Sequence, residues 1–166
     1  GLRFFEQAHI KDVTAFMRFV VNRKDEVSFL RMVSLLPGCG PGTAAKLWNA
    51  WLKTGLSGNE NPPEEKWSDL FLKFKVPKKS AKHWEQLCYT LDELTPGGQF
   101  ATPSDMIFSI LEGVYKDYLN ASFDNAESRR GDIEQLSQYA GNFTDILEFL
   151  QQLSLMSSTD DEPTGD

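Results

Sequence analysis

Apolar positions recur along most of this chain at intervals of three and four residues, the period of an amphipathic helix. Ile10, Val13, Met17, Val20 and Val21 make the first stripe. A second carries Val27, Leu30, Val33 and Leu35, with Asp25 where an N-cap belongs. Ala44, Leu47, Trp48, Trp51 and Leu52 form a third. Trp67, Leu70, Phe71 and Phe74 predict a short helix. Val76-Pro77-Lys78-Lys79-Ser80 then restarts the chain ahead of Trp84, Leu87, Leu91 and Leu94. Thr102-Pro103-Ser104-Asp105 reads as an N-cap, a proline at the first helical position and an acid two places on. Behind it Ile107, Ile110, Leu111, Val114, Tyr115 and Tyr118 share one face, and residues 120–125 break that helix. Ile133 and Leu136 point inward on the next one. Asn142-Phe143-Thr144-Asp145 caps the last, which carries Phe143, Ile146, Leu147, Leu150 and Leu153. Loops rich in Gly, Asn and Pro fall at 55–63 and 95–101. The one strand-like piece is Leu2-Arg3-Phe4-Phe5, which alone cannot form a sheet and reads as an element borrowed from a larger protein. The expected fold is all-α: a compact multi-helix domain with a short N-terminal strand-like junction.

Composition adds limits. The chain has 166 residues, enough for one sizeable core and one domain. Its apolar runs are too short to span a bilayer. It opens Gly1-Leu2-Arg3, without a start Met or signal sequence, which predicts an internal piece of a longer protein. Cys39 and Cys88 are too few for a disulfide framework or a zinc site, so an intracellular setting is expected. His9 and His83 lack ligand spacing and read as surface or packing residues. Net charge is −7, unhelpful for a nucleic-acid binder, but it is unevenly spread. Residues 1–100 hold 14 Lys/Arg against 11 Asp/Glu, a net of +3, and residues 101–166 hold 3 against 13, a net of −10. The four tryptophans, Trp48, Trp51, Trp67 and Trp84, lie on apolar stripes and read as core rather than base-stacking platforms.

The most telling stretch is Leu36-Pro37-Gly38-Cys39-Gly40-Pro41-Gly42-Thr43-Ala44-Ala45-Lys46-Leu47. It puts a glycine-rich turn at the start of a helix. Backbone N–H groups at such a turn face outward, and the helix dipole favours an anion there. A P-loop needs Gly, four residues, then Gly-Lys-Ser/Thr, and here Gly42 is followed by Thr43-Ala44. The N–H groups of Gly38, Gly40 and Gly42 are the expected phosphate donors, with the Thr43 hydroxyl and the Lys46 charge beside them. The other reading is a plain turn between helices. Lys78, Lys79 and Lys82 form a second basic cluster, with the pattern of a solubilising face and a DNA contact as its alternative.

The order Leu36, Pro37, Gly38, Cys39, Gly40 and Ala44 resembles the helix-hairpin-helix, a sequence-independent binder of the DNA backbone. The opening Gly1-Leu2-Arg3-Phe4-Phe5-Glu6-Gln7-Ala8-His9-Ile10-Lys11-Asp12 resembles a wider pattern. It is similar to the passage from motor domain 2A into subdomain 2B of UvrD/PcrA/Rep-type superfamily 1 DNA helicases, with Gln7 for the usual Arg and His9 for the usual Glu. Asn22-Arg23-Lys24-Asp25, Phe29-Leu30-Arg31 and Arg129-Arg130-Gly131-Asp132-Ile133-Glu134-Gln135-Leu136 continue the likeness across about residues 1–155. The resemblance implies residues 1–8 as a junction from 2A, 9–156 as helical 2B and 157–166 as an acidic linker returning to 2A. It implies that Lys11 touches duplex backbone. It implies a parent that is an ATP-dependent 3′→5′ DNA helicase of replication or repair, using ATP and Mg, bacterial, cytoplasmic and nucleoid-associated. Its partners would be duplex DNA or a single/double-strand junction, its own motor domains and accessory proteins, with no membrane. The ATPase motifs would lie outside this chain, which would then be non-catalytic, with no cofactor of its own.

Two other classes remain open at this stage. A helix-hairpin-helix DNA glycosylase would need an aspartate in an apolar context soon after the hairpin, but the nearest acids are Glu60, in a loop, and Asp69. A protein-interaction module could instead dock a basic partner on the acidic half.

Overall fold

The computed structural model describes residues 3–58 and 63–160, and every regular element among those residues is a helix, as the stripes predict. The helices are α1 Ala8–Val21, α2 Glu26–Val33, α3 Pro41–Lys53, α4 Trp67–Phe71, α5 Ala81–Leu94, α6 Pro103–Ile110, α7 Lys116–Ser122, α8 Ala126–Ala140 and α9 Ile146–Asp160. A π-helical turn, Leu111–Tyr115, joins α6 to α7. α1 is the central pillar. It packs on α2, α5, α6, α8 and α9, and so buries more than its apolar stripe.

Capping residues fix the helix starts. Asp25 accepts from the Ser28 amide at 3.0 Å and from the Ser28 hydroxyl at 2.7 Å. Thr102 accepts from the Asp105 amide, and Asp145 from the Leu147 amide. Each bond from an amide satisfies one of the free N–H groups that every helix start leaves behind.

The core beside the glycine turn is aromatic. Phe19 has ring contacts with Phe29, Trp51, Trp67 and Phe71. Trp84 stacks on Phe71 at 5.7 Å. Buried indoles need an acceptor. Trp51 Nε1 donates to the Arg23 carbonyl at 2.9 Å, and Trp84 Nε1 to the Phe71 carbonyl at 2.8 Å. Trp51, Trp67 and Trp84 are fully enclosed and Trp48 nearly so, which makes all four core residues.

Two expectations change. Phe4–Glu6 form a 3₁₀ turn rather than a strand. Without a partner strand, Phe5 gains more by packing on Tyr139, at 6.0 Å between ring centroids. Helix α9 runs to Asp160 and takes up the first residues of the expected linker. The rest of that linker, 161–166, and positions 1 and 2 of the junction lie outside the described residues. Of the two readings of His9, packing is the one that holds: it is 2 % exposed, and its polar partners appear below.

Both cysteines are buried free thiols. Burial, reinforced by Asp92 and then Glu85, pushes the Cys88 thiol up from 9.0 to about 12. The unfolded chain therefore loses this proton first as pH rises. Cys88 adds stability that is complete below pH 9.0 and is lost as pH rises toward about 12. Denaturant midpoints measured from pH 8 upward should fall across that window, and a Cys88→Ala variant should fall less.

Candidate nucleic-acid interface

The glycine turn lies between α2 and α3. Helix α2 ends at Val33, and hydrogen bonds from the Leu35 and Leu36 amides tighten the exit. Cys39 N then bonds the Leu36 carbonyl at 3.1 Å, closing a turn around Pro37 and Gly38. Gly38 sits at φ +81°, in the left-handed region that a Cβ disfavours. Leu35, Leu36 and Cys39 are buried and anchor the turn, while Pro37, Gly38, Gly40, Pro41 and Gly42 are exposed.

Gly40 is the N-cap of α3 and Pro41 its first helical residue. The first intrahelical bond runs from Ala44 N to the Gly40 carbonyl at 2.9 Å. Among the described residues, the amides of Gly38, Gly40, Gly42 and Thr43 have no partner within the chain. Gly40 and Gly42 have open space where a Cβ would go, and Gly40 has an ordinary extended backbone. The fold does not require glycine at either place. Lys46 is exposed one turn further along the helix. The sequence-derived site residues Gly38, Gly40, Gly42, Thr43 and Lys46 therefore meet at one exposed helix start.

Lys11 does not join them. It is exposed on α1 and lines a separate groove with Phe5, Glu6, Arg18, Val27 and Arg31. Its neighbour Asp12 faces inward and is 6 % exposed. Arg31 Nε donates to one Asp12 oxygen at 2.7 Å, and the Tyr115 hydroxyl donates to the other at 2.6 Å. Burial first, then this bond to Asp12, holds the Tyr115 hydroxyl protonated well above its usual range. The π-helical turn brings Tyr115 there, and Gly113 in the same turn presses on the Thr90 side chain of α5.

The late motif is also structural. Arg129 Nη1 donates to His9 Nδ1 at 2.9 Å. A guanidinium has no acceptor, so Nδ1 carries the lone pair and Nε2–H donates to Asp132 at 2.8 Å. Arg129 also donates to Asn125 and lies 3.8 Å above the Phe123 ring. Arg130 pairs with Glu112 and Glu134. These contacts tie α8 to α1 and to the π-helical turn. Sequence reading missed Asp12 as a buried charge, and it missed the polar partners of Tyr115 and His9. The signal was present: α1 carries Phe16 and Phe19 outside its main stripe, on the face that also holds Asp12, so a carboxylate there had to be paired inside.

No described helix is long and apolar enough to cross a membrane. The family model for the UvrD-like helicase C-terminal domain matches residues 1–164. The ATP-dependent DNA helicase PcrA of Bacillus subtilis is 24% identical over 169 residues, covering 96% of this chain. The PcrA proteins of Staphylococcus epidermidis and Staphylococcus aureus are each 22% identical over 177 residues, covering 99% of it. The chain spans only 22% to 23% of the length of these relatives. No solved structure matches it significantly. With nearly its whole length matched, the chain belongs to the UvrD-like helicase C-terminal domain family.

Proposed function

We propose that this chain is the 2B subdomain of an ATP-dependent 3′→5′ DNA helicase and that its glycine turn grips the duplex backbone. The observation that carries this reading is the start of α3. Four amides there have no partner among the described residues, beside two glycines that the fold itself does not require. A helix start with open N–H groups suits a phosphate oxygen, and a missing Cβ lets the nucleic acid come close. Thr43 and Lys46 add a hydroxyl and a charge. Such contacts hold DNA without reading its sequence.

In this reading residues 9–156 form the subdomain, and the segments at 1–8 and 157–166 connect it to motor domain 2A. The subdomain swivels on those connections and so regulates unwinding. ATP and Mg bind to motor domains outside this chain, and the chain itself is not catalytic. Lys11 takes part only where the DNA also passes the α1 groove. The parent works in the bacterial cytoplasm, on the nucleoid. Its helicase relatives and the basic N-terminal hundred residues support the reading.

The test is fluorescence anisotropy on duplex DNA with a 3′ single-stranded tail. Wild type should bind, and bind more weakly as salt rises. Gly40→Val should weaken binding by about tenfold or more, some 1.4 kcal/mol, with helicity unchanged and stability lower by no more than about 1 kcal/mol, the cost of valine at an N-cap. No binding at low salt, or equal binding by the variant, would remove the hairpin from the interface. Capture of a basic protein without any DNA binding would favour the interaction-module reading.

A further inference from the structure

Two long stretches of this sequence contain no acid. Residues 27–59 carry Arg31, Lys46 and Lys53 but no Asp or Glu. Residues 70–84 carry Lys73, Lys75, Lys78, Lys79 and Lys82 and again no acid. The fold clasps the two together. The Ser80 hydroxyl, fully buried, donates to the Pro37 carbonyl at 2.6 Å. A Cβ built on Gly38 would lie 2.5 Å from Ser80 Oγ, 2.8 Å from Lys79 Cγ and 2.9 Å from Lys79 Cε. The Lys79 stem therefore crosses directly over Gly38. The missing Cβ at this glycine makes room for the lysine segment.

The lysines brought there are free. Lys73, Lys75, Lys78, Lys79 and Lys82 are exposed, as are Lys46 and Lys53. None of the seven forms an ion pair among the described residues. The arginines of the opposite half behave differently: Arg129 and Arg130 are tied to partners inside the fold. Free positive charge, on Lys46 of α3 and on Lys78 and Lys79 of the clasped segment, thus flanks the hairpin although the chain as a whole is acidic.

We infer that the lysine segment 73–82, fastened to the hairpin by Ser80 and Gly38, is the second half of one duplex-binding surface. The hairpin amides hold a phosphate at a fixed point, and the lysines follow the backbone beyond it. Joining open amides to flexible ammonium groups suits phosphate oxygens along a polyanion. This inference rests on the hairpin reading above; it takes the DNA-contact alternative for Lys78, Lys79 and Lys82 over the solubilising face, and adds Lys73 and Lys75, to which sequence spacing gives no role.

Salt dependence of DNA binding tests it, using the full chain and the same tailed duplex. Each lysine that neutralises a phosphate steepens the plot of log affinity against log salt by about 0.9. Lys78→Gln with Lys79→Gln should flatten the slope by about 1.8. Lys24→Gln, an exposed lysine outside both acid-free stretches, should leave it unchanged. Wild-type binding that is lost in Gly40→Val but keeps its full slope in the lysine pair would overturn the lysine surface alone. An equal flattening by Lys24→Gln would reduce it to a general charge effect and overturn it too. Displacement by polyglutamate as easily as by unlabelled duplex would overturn its fit to phosphate. No wild-type binding would remove the hairpin reading, and the lysine surface with it.

Discussion

Asp12→Ala should cost about 2–4 kcal/mol of stability, from one carboxylate that touches no ligand. Two donors converge on Asp12. The Tyr115 hydroxyl belongs to a fully buried ring, and its bond at 2.6 Å is its one hydrogen bond among the described residues. Removing the acceptor strands that hydroxyl, at about 1–3 kcal/mol. Arg31 loses less. Its side chain is 37% exposed, so water takes over part of the charge, and Nη2 keeps the Ala8 carbonyl at 3.2 Å. Tyr115→Phe separates the two contributions. It deletes the hydroxyl with the bond and leaves Asp12 on Arg31, so it should cost only about 1 kcal/mol. Urea unfolding of the two variants and the double variant checks this. Equal losses for Asp12→Ala and Tyr115→Phe would mean that Arg31 contributes nothing. A wild-type midpoint for Asp12→Ala would mean that Asp12 is not buried as described.

The same pair shows where sequence reading stops. Asp12 and Tyr115 lie 103 residues apart, and Ser80 and Pro37 lie 43 apart. No helical period links such positions, so neither contact could be read from spacing. What spacing does fix is local. The stripes gave the helices, and Asp25, Thr102 and Asp145 gave their starts, because a cap and its amide are only two or three residues apart. The tryptophans were legible as core from the stripes that carry them. Phe4 and Phe5 misled because two adjacent apolar residues fit either a strand or a tight turn, and only the Tyr139 ring decides between them. The glycine turn was legible as a turn. That Gly38 serves the fold while Gly40 and Gly42 face open space was not, since all three look alike in the sequence.

That difference among glycines is itself measurable. Gly38→Val should lower both stability and DNA binding, and stability by more than Gly40→Val does. A β-branched residue at φ +81° carries about 1–2 kcal/mol of backbone strain. Its Cβ also arrives 2.5 Å from Ser80 Oγ, and Ser80 has nowhere to go. It is fully buried and held by the Pro37 carbonyl. Moving it aside sacrifices that bond, about 1 kcal/mol, and displaces the Lys79 stem as well. The total is about 2–4 kcal/mol, a melting temperature lower by about 5–15 °C for a chain of this size. Gly38→Ala should lie between the variant and wild type, because alanine keeps the strain and the first contact but lacks the branches. Calorimetry beside anisotropy separates the outcomes. A Gly38→Val protein that melts with wild type would mean the hairpin and the lysine segment are not clasped. One that melts early yet binds the duplex undiminished would mean that the clasp serves the fold alone.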